Sequence, residues 1–271
     1  MAGGIVPRPA LSVVIPAFNE ADRLGRSLSH VREVLAAAPG PAEVLVVVDG
    51  STDGTAALVA AAAAEPHAVP VRLLAEPVNR GKGHCVRRGM LEARGEVRLF
   101  CDADLATPIE MAGEFVQAVG AGADVVIASR RMAGARLTRR QPWLRERLGW
   151  LFSAVVGRTL LPGITDSQCG FKAFSAAAAE AVFARQTLDE FCFDVEILAI
   201  ARVLGLRVVE RPVPWADGPG SRVRAVRDGA AMLRDLIRVW RHLRRGVYGA
   251  CPGRREAEGT GAAVDRRGSG R

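Results

Sequence analysis

The feature that most constrains the fold of this chain is a regular alternation of short apolar runs with helix-like segments. Residues 11–15 (LSVVI) form an almost uninterrupted apolar run that Pro16 ends, and residues 43–48 (EVLVVV) form another. Runs of this kind are typical of strands that are buried on both faces of a sheet. Because helical patterns separate them, we predict an α/β fold with a doubly wound, mostly parallel sheet and flanking helices.

The remaining elements follow from the same periodicities. Further strands are predicted at residues 71–74 and 124–128 and in a run that ends at Asp102, and helices at residues 21–38, 55–65, 83–94, 143–161, 176–183, 194–204 and 223–243. Residues 208–213 indicate an extended stretch that Pro212 would place at a sheet edge. We expect a disordered N-terminus (1–10), one domain (11–220), a basic amphipathic helix (221–248) and a disordered tail (249–271).

Cysteine usage and hydropathy exclude several classes of protein. The five cysteines contain no Cys-x-x-Cys pair, which argues against a disulfide framework or a zinc site and favours a reducing cytosol. No uncharged apolar run reaches the ~18 residues of a spanning helix, and residues 1–10 lack the apolar core of a signal peptide. The net charge of +8 comes from 35 Arg and only 2 Lys, and both lysines fall in the motifs described below.

Polar side chains follow four predicted strands at their carboxyl ends, where doubly wound sheets bind ligands. They are Asn19 and Glu20, Asp49 and Asp53, Asp102 and Asp104, and Arg130 and Arg131. Each could merely cap a turn, but four such strand ends together favour a ligand site. Asp102 and Asp104 are two residues apart on extended backbone and therefore point the same way. Such a pair suits a divalent ion that also holds a diphosphate.

Six motifs give the chain a resemblance to a known family. They are residues 15–20 (IPAFNE), 48–55 (VDGSTDGT), 79–83 (NRGKG), 102–108 (DADLATP), 166–172 (DSQCGFK) and 220–223 (GSRV). Together they resemble the family 2 glycosyltransferases, which have the GT-A (nucleotide-diphospho-sugar transferase) fold. Most of them are similar to the dolichyl-phosphate β-glucosyltransferase branch. The resemblance covers residues 11–225, and the motif at 166–172 is the most specific of the set.

The resemblance implies a donor site for a nucleotide sugar and a site for Mg²⁺ or Mn²⁺. The donor-binding candidates are Pro16, Asn19, Glu20, Asp49, Lys82 and Asp102, and the metal ligands are Asp102 and Asp104. Lys82 begins a predicted helix in a glycine-flanked loop, where an ammonium and backbone N–H groups can meet phosphate oxygens. Asp49 offers a carboxylate to a base N–H. The alternative for Lys82 is a solvated surface lysine, and the alternative for Asp49 is a turn cap.

The acceptor candidates are cationic or polar, as a phosphate requires. They are Arg130, Arg145 or Arg147, Gln168 and Lys172. The catalytic candidates are Asp166 and Asp104. Asp166 corresponds to the family's candidate general base, but a phosphate monoester with a second pKa of ~6 is already nucleophilic at neutral pH. Asp166 could instead orient a sugar hydroxyl or complete the metal shell. Cys169 and Phe171 are expected to be packing residues.

The segment from 221 to 245 predicts a basic amphipathic helix. It carries eight Arg and two Asp among apolar residues that include Trp240. Such helices lie in a membrane interface, where a lipid-phosphate acceptor would be found. The alternative is a core-packing helix with a solvated arginine face. A reader of nucleic acids is not expected, since no reader motif accompanies the charge.

We therefore expect an inverting glycosyltransferase that moves glucose from UDP-glucose to a polyprenyl phosphate at the cytosolic face of the plasma membrane. GDP-mannose as donor, a soluble acceptor, or a nucleotide-sugar-binding module without activity are the alternatives. The retained aspartates Asp102, Asp104 and Asp166 argue against the last of these. A dinucleotide-dependent oxidoreductase is set aside because no Gly-x-Gly-x-x-Gly turn follows the first strand. The oligomeric state is left open.

Overall fold

The fold is that of a computed structural model, which describes residues 8–139, 143–216 and 225–249. The expected disordered tail from residue 250 onward and the motif at 220–223 lie outside these residues, as do residues 1–7 of the expected disordered N-terminus.

A seven-stranded sheet forms the centre of the molecule, with the spatial order β3-β2-β1-β4-β7-β5-β8. Its strands are β1 (Leu11–Ala17), β2 (Ala42–Asp49), β3 (Val71–Glu76), β4 (Val97–Cys101), β5 (Val125–Ser129), β7 (Phe171–Ser175) and β8 (Val208–Pro212). A separate ribbon pairs β6 (Arg136–Arg139) with β9 (Pro214–Ala216). Every neighbouring pair in the large sheet is parallel except those of β7. The predicted mostly parallel sheet and the edge position of Pro212 are confirmed.

Eight helices and one 3-10 turn (Ile109–Met111) accompany the strands in the described residues. The helices are α1 (Ala21–Ala37), α2 (Thr55–Ala64), α3 (Lys82–Glu92), α4 (Ala112–Gly120), α5 (Trp143–Thr159), α6 (Ala176–Phe183), α7 (Phe193–Val203) and α8 (Ala225–Arg244). In α1 the buried residues Leu24, Leu28, Val31 and Leu35 recur at helical spacing and face the sheet. Two apolar clusters form the core, and all eight residues of β2 are buried.

Strand β7 organises the site and, like α4, β6 and β9, was not predicted from the sequence. It runs antiparallel between β4 and β5, with Phe171 opposite Cys101. An antiparallel strand begins at the edge of the sheet where its parallel neighbours end. Residues 166–170, which lead into β7, are therefore delivered to the carboxyl ends of both β4 and β5.

Within the described part of the chain, none of the helices combines the length and the apolar character needed to cross a bilayer.

Candidate active site

Two carboxylates and a lysine meet directly after β4. The Asp102 and Asp104 side chains are 35% and 25% exposed, and Lys82 Nζ lies 2.6 Å from Asp102 Oδ1. Lys82 is the first residue of α3, behind Gly81 in the left-handed region (φ 103°). Burial alone would lower the pKa of Lys82, but the charges of Asp102 and Asp194 raise it overall. Lys82 is therefore a cation at neutral pH.

The chemistry of the two aspartates fits a divalent cation. Burial and the charge of Asp102 raise the pKa of Asp104, as expected for neighbouring carboxylates that repel each other. A hard cation between them would relieve this repulsion through the oxygen ligands that Mg²⁺ and Mn²⁺ prefer. Among the described residues no group of three or more acidic, histidine or cysteine side chains is placed to hold a metal. A diphosphate and water would supply further oxygen ligands.

Gly170 fixes the position of the Asp102 carboxylate. A Cβ atom at residue 170 would lie 2.1 Å from Asp102 Oδ2 and 2.6 Å from its Cγ, so any side chain there must displace the carboxylate. In the sequence, Gly170 was identified only as part of the motif at 166–172. A glycine that directly precedes a buried strand was the signal that could have identified it.

Replacing Gly170 by alanine should therefore cripple activity with little loss of stability. A displacement of the carboxylate by about 1 Å costs activity on the order of 10²-fold. We expect kcat/KM to fall by about that factor while the melting temperature stays near that of the wild type. Gly113→Ala is the matched control, since no atom lies within 4 Å of the added Cβ in α4. Equal activity of the two variants would show that the close contact is unimportant.

The loops after β1 and β2 are joined by hydrogen bonds between their side chains and backbone. Asn19, in the left-handed region (φ 52°), accepts through Oδ1 from the Thr52 backbone N–H at 2.8 Å. The Asn19 N–H donates to Ser51 Oγ at 2.9 Å, and the Asp53 carboxylate accepts from the N–H groups of Ala21 and Thr55. Pro16 and Glu20 are half-buried beside these loops, and the Glu20 carboxylate pairs with Arg23.

Asp49, at the end of β2, holds the loop that precedes Lys82. Its buried carboxylate accepts from the N–H groups of Arg80 at 2.7 Å and Gly81 at 2.9 Å. Both carboxylate oxygens thus have backbone partners, as in the turn-capping alternative. The contact of Asp49 with a nucleotide base stays a prediction.

Arg130 and Asp166 form a two-pronged ion pair across 36 residues of sequence. Arg130 Nε and Nη2 donate to Asp166 Oδ2 and Oδ1 at 2.7 and 2.8 Å, and the Arg130 backbone N–H adds a third bond at 3.0 Å. Burial alone would raise the pKa of Asp166, but Arg130 lowers it to about 2. The Arg130 guanidinium also lies 5.4 Å from the Trp215 ring centroid. Asp166 is fully buried, whereas the Arg130 side chain is 22% exposed.

The other acceptor candidates occupy different positions. Lys172 does not face the open site as expected: it is fully buried in β7, where Nζ donates to the Cys169 carbonyl oxygen at 2.6 Å and pairs with Asp194. A buried ammonium requires such partners, because an unpaired one would be strongly destabilising. Gln168 is half-buried beside Asp166. Arg145 and Arg147 are residues of helix α5, for which the structure describes the backbone but not these two side chains.

Cys169 and Phe171 are buried, which confirms their expected packing role. Two residues near the predicted groups were not predicted from the sequence. Arg23 pairs with Glu20 and lies 3.9 Å from Asp104, and Trp215 packs against Arg130. Neither belongs to a motif that the resemblance covered, although Arg23 is three residues after Glu20 on α1, a spacing that predicts an ion pair.

Two aspartates and a lysine at the carboxyl edge of a mostly parallel sheet are the arrangement expected of a nucleotide-sugar transferase. The family described as Glycosyl transferase family 2 matches residues 12–183. The chain belongs to this family and is a glycosyltransferase.

The chain is also similar to proteins named dolichyl-phosphate beta-glucosyltransferases. It is 35% identical to a dolichyl-phosphate beta-glucosyltransferase of Trichomonas vaginalis over 246 residues, which cover 87% of this chain and 72% of the relative. It is 31% identical to the dolichyl-phosphate beta-glucosyltransferase of Homo sapiens over 242 residues, which cover 85% and 75%.

Solved structures with the same fold include glucosyl-3-phosphoglycerate synthase from Mycobacterium tuberculosis. A complex of that enzyme with Mn²⁺, UDP-glucose and glycerol 3-phosphate has a TM-score of 0.63 and 20% identity over 87% of this chain and 80% of the other. A complex with Mg²⁺ and UDP has a TM-score of 0.61. At this identity the likeness shows the GT-A fold alone.

Proposed function

We propose that this glycosyltransferase transfers glucose, with inversion, from UDP-glucose to a polyprenyl phosphate, with Mg²⁺ or Mn²⁺ bound by Asp102 and Asp104. The observation that carries the proposal is the course of residues 166–170. Asp166 at one end of this segment holds Arg130, and Gly170 at the other abuts Asp102. This course supports the proposal because it links Arg130, the proposed cation for an acceptor phosphate, to Asp102, a proposed metal ligand, through five consecutive residues. The names of the relatives supply the identities of acceptor and sugar.

On the donor side, Lys82 and the loop that Asp49 holds would bind the diphosphate. A divalent cation, when bound, neutralises the charge that develops on the departing diphosphate. Lys82 stands at the start of α3, where its ammonium and the helix N-terminus act on the same anion. The Lys82 ammonium also pairs with Asp102. Its three N–H donors allow it to contact a phosphate oxygen beside this carboxylate.

On the acceptor side, Arg130 would orient the phosphate that attacks. A phosphate oxygen forms a bond to the anomeric carbon while the bond from that carbon to the diphosphate oxygen breaks, and the diphosphate leaves with the electron pair. The dianionic phosphate needs no base, since its second pKa is ~6. The role that fits Asp166 is therefore that of a positioning residue, which keeps Arg130 in a fixed orientation through two hydrogen bonds. Gln168 and the arginines of α5 remain further candidates for the same phosphate.

Helix α8 supports a peripheral membrane contact, because it has apolar residues on two sides. Leu236 and Val239 are buried in the core, whereas Leu233, Ile237 and Trp240 are 59%, 44% and 44% exposed. The guanidinium of Arg244 lies 4.4 Å from a Trp240 ring centroid. Exposed arginines flank this apolar face: Arg234, Arg238, Arg241, Arg244 and Arg245. An apolar face with a basic border is complementary to an anionic lipid surface, here the cytosolic leaflet.

Sedimentation with vesicles that contain phosphatidylglycerol tests this contact. Replacing Leu233, Ile237 and Trp240 together by serine should weaken vesicle binding by about 100-fold, since each partly exposed side chain contributes ~1 kcal/mol on insertion. The melting temperature should change little because the three side chains face solvent. Leu91→Ser, at an exposed position of α3, is the control and should bind as the wild type does. Unchanged binding of the triple variant would refute the membrane contact.

The reaction itself is tested with two donors in parallel. The protein is incubated with Mg²⁺, polyprenyl phosphate and radiolabelled UDP-glucose or GDP-mannose, and label in the organic extract is counted. We expect label from UDP-glucose that EDTA abolishes. Label from GDP-mannose alone would identify GDP-mannose as the donor instead. Label in the organic extract that EDTA does not reduce would refute the requirement for a divalent cation.

A further inference from the structure

Glu196 is a fully buried carboxylate that the proposed mechanism does not use. It lies in the first turn of α7 and accepts hydrogen bonds from four donor groups, three in a segment that precedes this helix and one at the far end of the described chain. Thr187 donates from its backbone N–H at 3.0 Å and from Oγ1 at 2.7 Å, and the Leu188 N–H donates at 2.8 Å. Tyr248 Oη donates at 2.9 Å.

The segment that Glu196 holds, residues 186–190, packs directly on the loop that carries Lys82. The His84 N–H donates to the Asp189 carbonyl oxygen at 3.1 Å, and Gln186 Nε2 donates to the Gly83 carbonyl oxygen at 2.9 Å. The two backbones are in close contact. A Cβ at Gly81 would lie 2.4 Å from the Asp189 carbonyl oxygen, and one at Gly83 would lie 2.7 Å from that of Leu188. Residues 186–190 thus form the wall against which the start of α3 rests.

Tyr248 connects this wall to the basic helix. It follows α8 by four residues, is buried, and packs edge-on against His242 with ring centroids 5.6 Å apart. Its carbonyl oxygen accepts from Arg185 Nε at 2.9 Å. Burial and the charge of Glu196 raise the pKa of Tyr248 well above its usual range, so the hydroxyl remains a donor at every accessible pH. The single tyrosine of the chain therefore donates a buried hydrogen bond to Glu196.

We propose that Glu196 is a positioning residue for the donor-phosphate loop, and that Tyr248 links the end of the membrane-facing helix to that loop through it. The chain of contacts runs from Tyr248 to Glu196, then through Thr187 and Leu188 to the backbone around Lys82. The inference rests on the proposed function for the identity of the donor and for the membrane contact of α8. Loosening this chain should shift Lys82 relative to the diphosphate and leave the acceptor side around Arg130 in place.

Tyr248→Phe and Thr187→Val each remove one hydroxyl that donates to Glu196 and keep the side chain's packing volume. Thr187→Ser keeps the hydroxyl and is the matched control. Hydrogen exchange of the substrate-free protein is measured for residues 81–85 and 187–190, with α2 as an internal reference. The KM values for UDP-glucose and for polyprenyl phosphate are measured on the same variants.

For Tyr248→Phe and Thr187→Val we expect about tenfold faster exchange in both segments and an about tenfold higher donor KM, the effect of losing one hydrogen bond to a charged group. The acceptor KM, the exchange of α2 and the Thr187→Ser variant should match the wild type. Unchanged exchange in residues 81–85, or an equal rise of both KM values, would overturn the inference. The exchange measurement needs no substrate, so it decides the inference even if the wild-type protein transfers no glucose.

Discussion

Alanine in place of Asp102 or of Asp104 should abolish the metal-dependent part of donor binding. Both carboxylates follow β4, close to the cationic side chains of Lys82 and Arg23. Mutation of a residue that only holds a metal ligand in place lowers metal affinity by about 10–100-fold. Loss of a ligand itself should lower the affinity at least as much. We therefore expect donor affinity in Mn²⁺ to fall by about 100-fold, to the value that the wild type shows in EDTA. Calorimetric titration with UDP-glucose measures both.

Two comparisons make this prediction specific. Glu114→Ala removes an exposed carboxylate of α4 and should leave the metal dependence intact. Lys82→Met should weaken donor binding both with and without metal, because the ammonium acts on the phosphates directly. Equal donor affinity of the wild type and the Asp102→Ala variant in Mn²⁺ would contradict the claim that Asp102 binds the ion.

Asp166→Asn should reduce turnover by about 10²-fold or more and leave donor affinity within about twofold of the wild type. An asparagine cannot accept both hydrogen bonds of the Arg130 fork, because its amide nitrogen faces the guanidinium as a second donor. Arg130 would then lose its fixed orientation, and misplacement of an orienting group by about 1 Å costs this much in rate. Steady-state kinetics and donor titration of the same preparation separate the two effects. Asp124→Asn is the matched control, because Asp124 directly precedes β5, at the end of this strand that is remote from Arg130.

The pH dependence distinguishes a positioning role of Asp166 from a general base. With its pKa lowered to about 2, Asp166 is ionised throughout the working range and is a poor proton acceptor. The acid limb of kcat/KM should therefore lie near the second pKa of the acceptor phosphate, ~6, and should persist in the residual activity of Asp166→Asn. A limb that disappears in this variant would identify Asp166 as the base. The ion pair itself stabilises the fold above the ordinary aspartate pKa, and this contribution is lost as the pH falls through 2.

Strands β1, β2 and β4 could be predicted because each consists of consecutive residues, almost all of which are buried. β2 is apolar along nearly all of its length and lies inside the sheet, so composition and position agree. β7 could not be predicted in the same way. Its sequence FKAFS contains Lys172, whose charge is neutralised by Asp194, 22 positions further along the chain. Periodicity within a short window does not reveal such a partner.

The same limit explains which candidate site residues could be located from the sequence. Lys82, Asp102 and Asp104 each lie next to a strand or helix end, so local sequence was enough to bring them to one edge of the sheet. The pairing of Arg130 with Asp166 and the wall that Glu196 holds depend on contacts between distant segments. Lys172 was expected near an acceptor phosphate because it shares a motif with Asp166. The alternation of side chains along β7 instead points it into the core.

A competition between two acceptors tests the central claim most directly. The protein is given radiolabelled UDP-glucose and Mn²⁺ together with polyprenyl phosphate in vesicles and an equal concentration of 3-phosphoglycerate, and the organic and aqueous phases are counted separately. We predict EDTA-sensitive label in the organic phase, with no glucosylated 3-phosphoglycerate in the aqueous phase. Label confined to a water-soluble glucosyl product would contradict a lipid-phosphate acceptor.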